Sequence, residues 1–309
     1  MCPYNSRQMM EYITGHTGEF AALAVAFFWT VTALAFESAS RKIGSIPVNI
    51  MRLVMAFFFI GTFTLISRGS FIPLDASRHN WIWLSLSGLI GLVLGDYYLF
   101  KSYALIGSRF AMLMMTTVPP MAAFFGFLIL GESLEIMHLL GMVVVIGGIT
   151  TAIFNRPVRG EKLSIKLAPK GVLFALVGAL GQALGLVLSK YGMENYDPFA
   201  STHIRIIAGV LGYSFIITVL GRWGVVRNSM KNIAAMKSLT LGAVFGPFLG
   251  ISFSLVAVKY TEAGIASTIM AIVPILIIAP SVIIYKEKIT RAEIFGAVIS
   301  VFGVALFFM

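Results

Sequence analysis

The chain has 309 residues, of which 58% are apolar or aromatic and only 12% charged, half or less of the ~25% charge usual in soluble domains. Too few polar side chains remain to cover a water-exposed surface, which excludes a disordered chain, a coiled coil and an ordinary cytosolic enzyme. The net charge of +10 is therefore read as topology beside a bilayer rather than as a nucleic-acid patch, and the single cysteine, Cys2, excludes an internal disulfide and a thiolate metal cluster.

A spanning helix needs roughly 20 mostly apolar residues. Ten such stretches follow one another: 20–38, 47–66, 81–105, 110–130, 136–154, 171–189, 199–220, 239–258, 264–285 and 291–308. The predicted fold is an all-α polytopic membrane protein of ten transmembrane helices.

Residues 1–19 carry Arg7, Glu11, His16 and Glu19, so they do not form a charged-then-apolar secretion signal, and the first span reads as an uncleaved anchor. That span holds Trp29 and ends near Glu37. The second carries Arg52 in its first turns. The third contains Gly91, Gly95, Asp96, Tyr97, Tyr98 and Lys101. The fourth holds Pro119 and Pro120 and closes at Glu132, and the fifth is ribbed by Gly141 and Gly148. The longest polar stretch, 155–170, then brings five cations and two prolines to the middle of the chain. Gly178, Gly181, Gln182 and Gly185 lie in the sixth span, and His203 and Arg205 open the seventh. The eighth holds Gly242, Gly246, Pro247 and Gly250, and the ninth Pro274 and Pro280.

Five spans on either side of a polar linker point to duplication, and a repeat is visible at a shift of 155 residues. Gly91 falls on Gly246, Gly95 on Gly250, Pro119 on Pro274, Glu132 on Glu287, Gly141 on Gly296 and Gly148 on Gly303. Lys42-Ile-Gly resembles Lys190-Tyr-Gly, and Arg52 resembles Arg205 after a longer loop. With an odd number of spans per copy, the second copy enters the membrane from the opposite side. The expected domains are therefore two inverted five-helix repeats, 20–154 and 171–308, joined by the basic linker 155–170.

Three kinds of residue are candidates for function, each with a plainer reading. Small residues at helical spacing, Gly95 and Gly250 among them, permit close helix packing, and the sharper reading is a surface that slides. The matched prolines Pro119 and Pro274 bend their helices and are candidate hinges. Ionisable residues at membrane depth are costly and become candidates by default. Asp96 and Lys101 stand about 140° apart on their helix, so they need not pair with each other. Asp96 can pair with Arg52 or Lys101, and at the repeat shift Asp96 falls on Ile251 and Lys101 on Val256, so the cluster is not a symmetric feature. A structural ion pair is the plain reading, a substrate or proton site the sharper one. Tyr97, Trp29, Gln182, His203 and Arg205 complete the substrate-binding or coupling candidates. Glu132 and Glu287 are read as capping or pairing groups at helix junctions.

No metal-ligand spacing, phosphate-cradling glycine loop, serine nucleophile elbow or ATP module is present, so no cofactor, metal or catalytic residue is expected. Convergent groups for a membrane-embedded enzyme are not seen. A channel, or a membrane protein that does not transport, is the alternative to a carrier.

The segments Gly91–Gly148 and Gly246–Gly303 resemble the two EamA repeats of the ten-helix drug/metabolite transporter superfamily. The resemblance is carried by a proline within the fourth helix, a glutamate closing it and a glycine-ribbed fifth helix: Pro119, Gly131-Glu132, Gly141 and Gly148, then Pro274, Lys286-Glu287, Gly296 and Gly303. Lys286 replaces the glycine usual before that glutamate. The resemblance implies secondary transport of a small polar metabolite, such as an amino acid or related compound, with export the common direction. Alternating access through a central cavity is implied as the mechanism. Protons are a candidate coupling ion, and the partners are a lipid bilayer and a small solute, with no nucleic acid. The expected location is the cell membrane, the inner membrane of a prokaryote, and oligomeric state stays open. Orientation is divided: fifteen loop cations on the linker side against five on the other place both termini outside, whereas the resemblance favours both termini inside.

Overall fold

The computed structural model describes residues 15–99, 101, 102, 105, 114–154, 169–276, 280, 283 and 291–308. Within these, six helices are long and apolar enough to cross a membrane: α1 (Thr17–Ile43), α2 (Ser45–Arg68), α3 (Arg78–Leu99), α6 (Pro169–Met193), α7 (Pro198–Val219) and α9 (Ile233–Tyr260). Shorter apolar helices are α4 (Val118–Leu130), α5 (Ile136–Phe154), α10 (Ala263–Met270), α11 (Val273–Leu276) and α12 (Arg291–Ala305); α8 (Trp223–Ser229) is a short surface helix. No strand occurs among the described residues. Helices dominate because each one satisfies its own backbone groups, which lipid cannot do.

Helix ends follow local chemistry. Gly44, at φ +82°, turns the chain from α1 into α2, and Gly69, at φ +73°, caps α2 by donating its N–H to the Leu65 carbonyl. Ser77 and Asn80 form a capping box at the start of α3. Asp197 and Asn232 accept from the backbone N–H groups of Ala200 and Ala235 to start α7 and α9. Large apolar side chains such as Phe27, Phe58, Phe127, Phe215 and Val298 are exposed. An outer surface this apolar is suited to hydrocarbon and not to water.

The repeat register seen in the sequence recurs in the backbone. α3 is π-helical over Leu89–Gly95 and α9 over Val244–Gly250, segments 155 residues apart. The second accommodates Pro247 without ending the helix. The matched prolines differ from the expectation of mid-helix bends. Pro119 stands in the first turn of α4, after a break at Thr116–Thr117, and Val273-Pro274 likewise follows a break at Ala271–Ile272. A proline is tolerated there because its missing N–H would have had no intrahelical partner. The Pro274 side chain and Glu287 lie outside the described residues.

Packing exchanges between the halves. α3 packs on α6 and α9 on α1; α4 packs on α6 and α10 on α1; α2 meets α7, and α5 meets α12. The α3–α6 contact is antiparallel and glycine on glycine. A Cβ on Gly185 would stand 2.8 Å from the Gly91 Cα, and one on Gly181 2.8 Å from the Gly95 Cα. At the α9–α1 contact the glycines meet side chains instead: Gly242 faces Phe36, Gly246 faces Thr32 and Gly250 faces the Trp29 indole. α5 and α12 cross at Gly148 and Gly303, with Ser300 Oγ donating to the Val145 carbonyl at 3.4 Å. Small residues let these backbones approach and gain dispersion contacts.

Candidate functional site

The deepest charged cluster is built by α2, α3, α6 and α7. Arg52 lies seven residues into α2, and Arg205 seven residues into α7, about 10 Å along each helix axis. Because α2 and α7 start at opposite faces, the two arginines approach the middle of the bundle from opposite ends. Asp96 directly follows the π-helical segment of α3. Its Oδ2 pairs with Arg52 Nη2, and its Oδ1 accepts from Gln182 Nε2 at 2.7 Å. Gln182 also donates to the Gly91 carbonyl at 3.3 Å. Arg205 Nη2 also comes up against this glycine, 3.4 Å from where a Gly91 Cβ would sit. Gly91 thus leaves room for a guanidinium and an amide to meet one turn of backbone.

The cluster is closed to solvent: Arg52, Asp96 and Arg205 are 9%, 7% and 5% exposed. Arg205 acts electrostatically on Asp96 but forms no ion pair with a carboxylate among the described residues, and its Nε has no hydrogen-bond partner there. Arg52 also lies over the Phe36 ring, 5.7 Å from its centroid. Two guanidiniums therefore share one carboxylate, a local excess of one positive charge in a region where an unpaired charge is expensive. Tyr213 adds a buried hydroxyl with no hydrogen-bond partner among the described residues, and it interacts electrostatically with Asp96, Arg52 and Tyr97.

The other sequence candidates are not all drawn into this cluster. Lys101 is exposed, with its ammonium 4.3 Å from the Tyr97 ring and 5.8 Å from the Phe174 ring. Of the two cations offered to Asp96, it is Arg52 that pairs. Tyr97 stands between the regions, its ring also set edge-on against Tyr98. His203 is buried among aromatic rings, 5.0 Å from Phe57 and 5.8 Å from Phe71. Trp29 covers Gly250, with its indole nitrogen 2.5 Å from where a Cβ would fall. Gly95 is pressed against Gln182 and Gly181. Glu37's side chain, Tyr103 and Arg109 lie outside the described residues.

A second constellation closes the face where α1 begins. Lys190 Nζ stands 2.5 Å from Glu132 Oε1 and donates to the Thr261 carbonyl at 2.6 Å. Glu132 Oε2 accepts from the Ala263 N–H at 3.0 Å, capping α10 from the connection that follows α4. Thr261 Oγ1 donates to Glu19 Oε1 at 3.0 Å. Pairing and capping were the roles expected of Glu132. The sequence reading missed Lys190 as its partner, counting it only among loop cations, although its match to Lys42 was a signal of a shared position.

Nearby, Arg68, Asp75 and Tyr196 tie the end of α2 and the α2–α3 connection to the α6–α7 connection, with Arg68 Nη2 2.5 Å and the Tyr196 hydroxyl 2.8 Å from the Asp75 carboxylate. Burial alone would raise the Asp75 pKa. The Tyr196 hydroxyl, the residue's own backbone N–H and the Arg68 guanidinium outweigh it and hold the carboxyl below its ordinary value.

Comparison with known proteins accords with this architecture. A transporter of Clostridium kluyveri, described as uncharacterized, is 24% identical over 290 residues, spanning 93% of this chain and 91% of its own length. A crystal structure 15% identical in sequence superposes with a TM-score of 0.77 over 94% of this chain and 96% of its own, a likeness of fold. The model of the EamA-like transporter family matches twice, over residues 16–154 and 169–309. With both halves matched, the chain belongs to the EamA-like transporter family.

Proposed function

We propose that this multi-pass membrane protein is a secondary transporter that moves a small polar metabolite, an amino acid or a related carboxylate-bearing compound, out across the cytoplasmic membrane. Its ten spans form two inverted five-helix repeats, 20–154 and 171–308, joined by the linker 155–170, and alternating access exchanges their packing. The reciprocal contacts α3–α6 with α9–α1, and the π-helical segments one repeat apart, support that symmetry. A proton gradient is the proposed driving force.

The observation that carries the reading is the unequal charge at Gly91. Both Asp96 oxygens are engaged, by Arg52 and Gln182, which leaves the Arg205 guanidinium without a carboxylate. A solute carboxylate would complete that pairing with two parallel charge-assisted bonds. Arg52, Asp96, Gln182 and Arg205 are the proposed binding residues. Tyr97 and Tyr213 line the approach, whereas Trp29 and His203 shape the wall. Lys101 is assigned to the rim.

Proteoliposome flux tests this. L-alanine, L-threonine and L-phenylalanine are compared with their carboxamides under an imposed proton gradient. Saturable, gradient-dependent flux of at least one amino acid, lost in its carboxamide, is the expected result. Flux without saturation would indicate a channel, and no flux of any solute would overturn transport.

A further inference from the structure

Glu132 joins three helices at the face where α1 begins. It stands two residues past the end of α4, pairs with Lys190 of α6 and caps α10 through the Ala263 N–H. Lys190 in turn holds the Thr261 carbonyl, and Thr261 holds Glu19 of α1. One carboxylate thus ties elements of both halves across this face. Beneath it, α4 and α10 meet through small groups: a Cβ on Gly264 would lie 2.8 Å from the Ala123 Cβ. Leu134 closes on the same glycine, and Val118, Met121 and Phe125 pack beside Ala263, so the charged bonds act at the rim of an apolar contact.

We propose that Glu132 is a proton-binding site that latches this face shut while ionised. Protonation places a hydrogen on the carboxylate, removes its attraction for the Lys190 ammonium and weakens its hold on the Ala263 N–H at a helix N-terminus. α10 is then released from α4 and α6. Asp96 is unsuited to this role. Neutralising it would leave Arg52 and Arg205 as two buried cations with no counter-charge. Glu132 and Lys190 keep 12% and 22% of their side chains exposed, so water delivers the proton. The other charged groups around the latch are Glu262 at the start of α10, Glu19 and its neighbour His16, and Glu135.

The proposal rests on the transport reading only in treating release as the opening of a path, and its test needs no solute. Ser267, 4% exposed on α10, is replaced by cysteine in a Cys2→Ser background. Labelling by a membrane-impermeant methanethiosulfonate is normalised to a Leu74→Cys control, which is exposed on the same face. Labelling is expected to be slow near pH 7.5 and about threefold faster at about pH 4, a change set by the fraction of glutamate carboxyls protonated there. Glu132→Gln should label fast at both values, and His16→Gln should keep the parent's response. A pH response that survives in Glu132→Gln, or that is lost only in His16→Gln, overturns the proposal. Lys190→Gln guards against a Glu132 variant that does not fold: fast labelling near pH 7.5 supports the latch, and the parent's slow rate overturns it. A latch that behaves as expected without any solute flux would sink the transport reading alone. Flux with pH-indifferent labelling would sink the latch alone.

Discussion

Arg52 of α2 and Asp96 of α3 form an ion pair in which both carboxylate oxygens are occupied, one by Arg52 and the other by Gln182 of α6. The carboxylate thereby joins three helices across the boundary between the two halves. Arg205, from the opposite end of the bundle, is left as the cation with an open partner position.

Asparagine at position 96 keeps an oxygen for Arg52 and a polar contact for Gln182 but removes the counter-charge of both arginines, so Asp96→Asn is expected to fold with lowered stability while losing coupled flux. Asp96→Leu removes every acceptor and leaves Arg52 buried and unpaired, at a cost of about 3–5 kcal/mol. Thermal unfolding in detergent, read beside proteoliposome flux, distinguishes the two variants. Normal transport by Asp96→Asn would reduce Asp96 to a structural group.

Arg205→Lys keeps the charge but loses the planar pair of donors beside Gly91. A weaker apparent affinity, about tenfold or more in KM, is expected with the fold intact, and Arg205→Gln should abolish saturable uptake. An unchanged KM in both variants would remove Arg205 from the binding site.

Gly181→Ala would drive a methyl to 2.8 Å from the Gly95 Cα, with backbone on both sides and no flexible group to yield. Overpacking of this kind costs about 1–3 kcal/mol, so its unfolding temperature should fall. Gly147→Ala is the matched control, because nothing lies within 4 Å of its Cβ position. Its unfolding temperature should hold or rise slightly.

The Asp75 carboxyl is held below its ordinary value of 3.8 when folded. A depressed folded value means that its contribution is present above about pH 3.8 and fades as pH falls through the lower folded value. Its side chain is 55% exposed, so the effect is small, within the range of about 0–1 kcal/mol for surface pairs. Stability measured from neutral to acidic pH should fall less steeply in Asp75→Asn than in the parent. Tyr196→Phe should shift the loss toward higher pH, because the donated hydroxyl is one cause of the depression.

Much of the scaffold was legible in the order of residues. Long apolar runs bounded by Gly44, Gly69, Ser77 and Asp197 became helices, because a chain in lipid must satisfy its own backbone. The register of 155 residues survived into matched π-helical segments and matched helix breaks, which share Gly91/Gly246, Gly95/Gly250 and Pro119/Pro274 although the residues between them differ. What the prolines do was less legible: Pro119 begins a helix instead of bending one, a distinction set by the break just before it. The choice of Arg52 over Lys101 for Asp96, the meeting of Lys190 with Glu132, and the withdrawal of His203 into aromatic packing were decided by the tertiary structure. Periodicity places a side chain on one face of its own helix. The rotation and crossing of neighbouring helices determine which other face it meets, and those depend on glycine contacts between segments about 90 residues apart, as between Gly95 and Gly181.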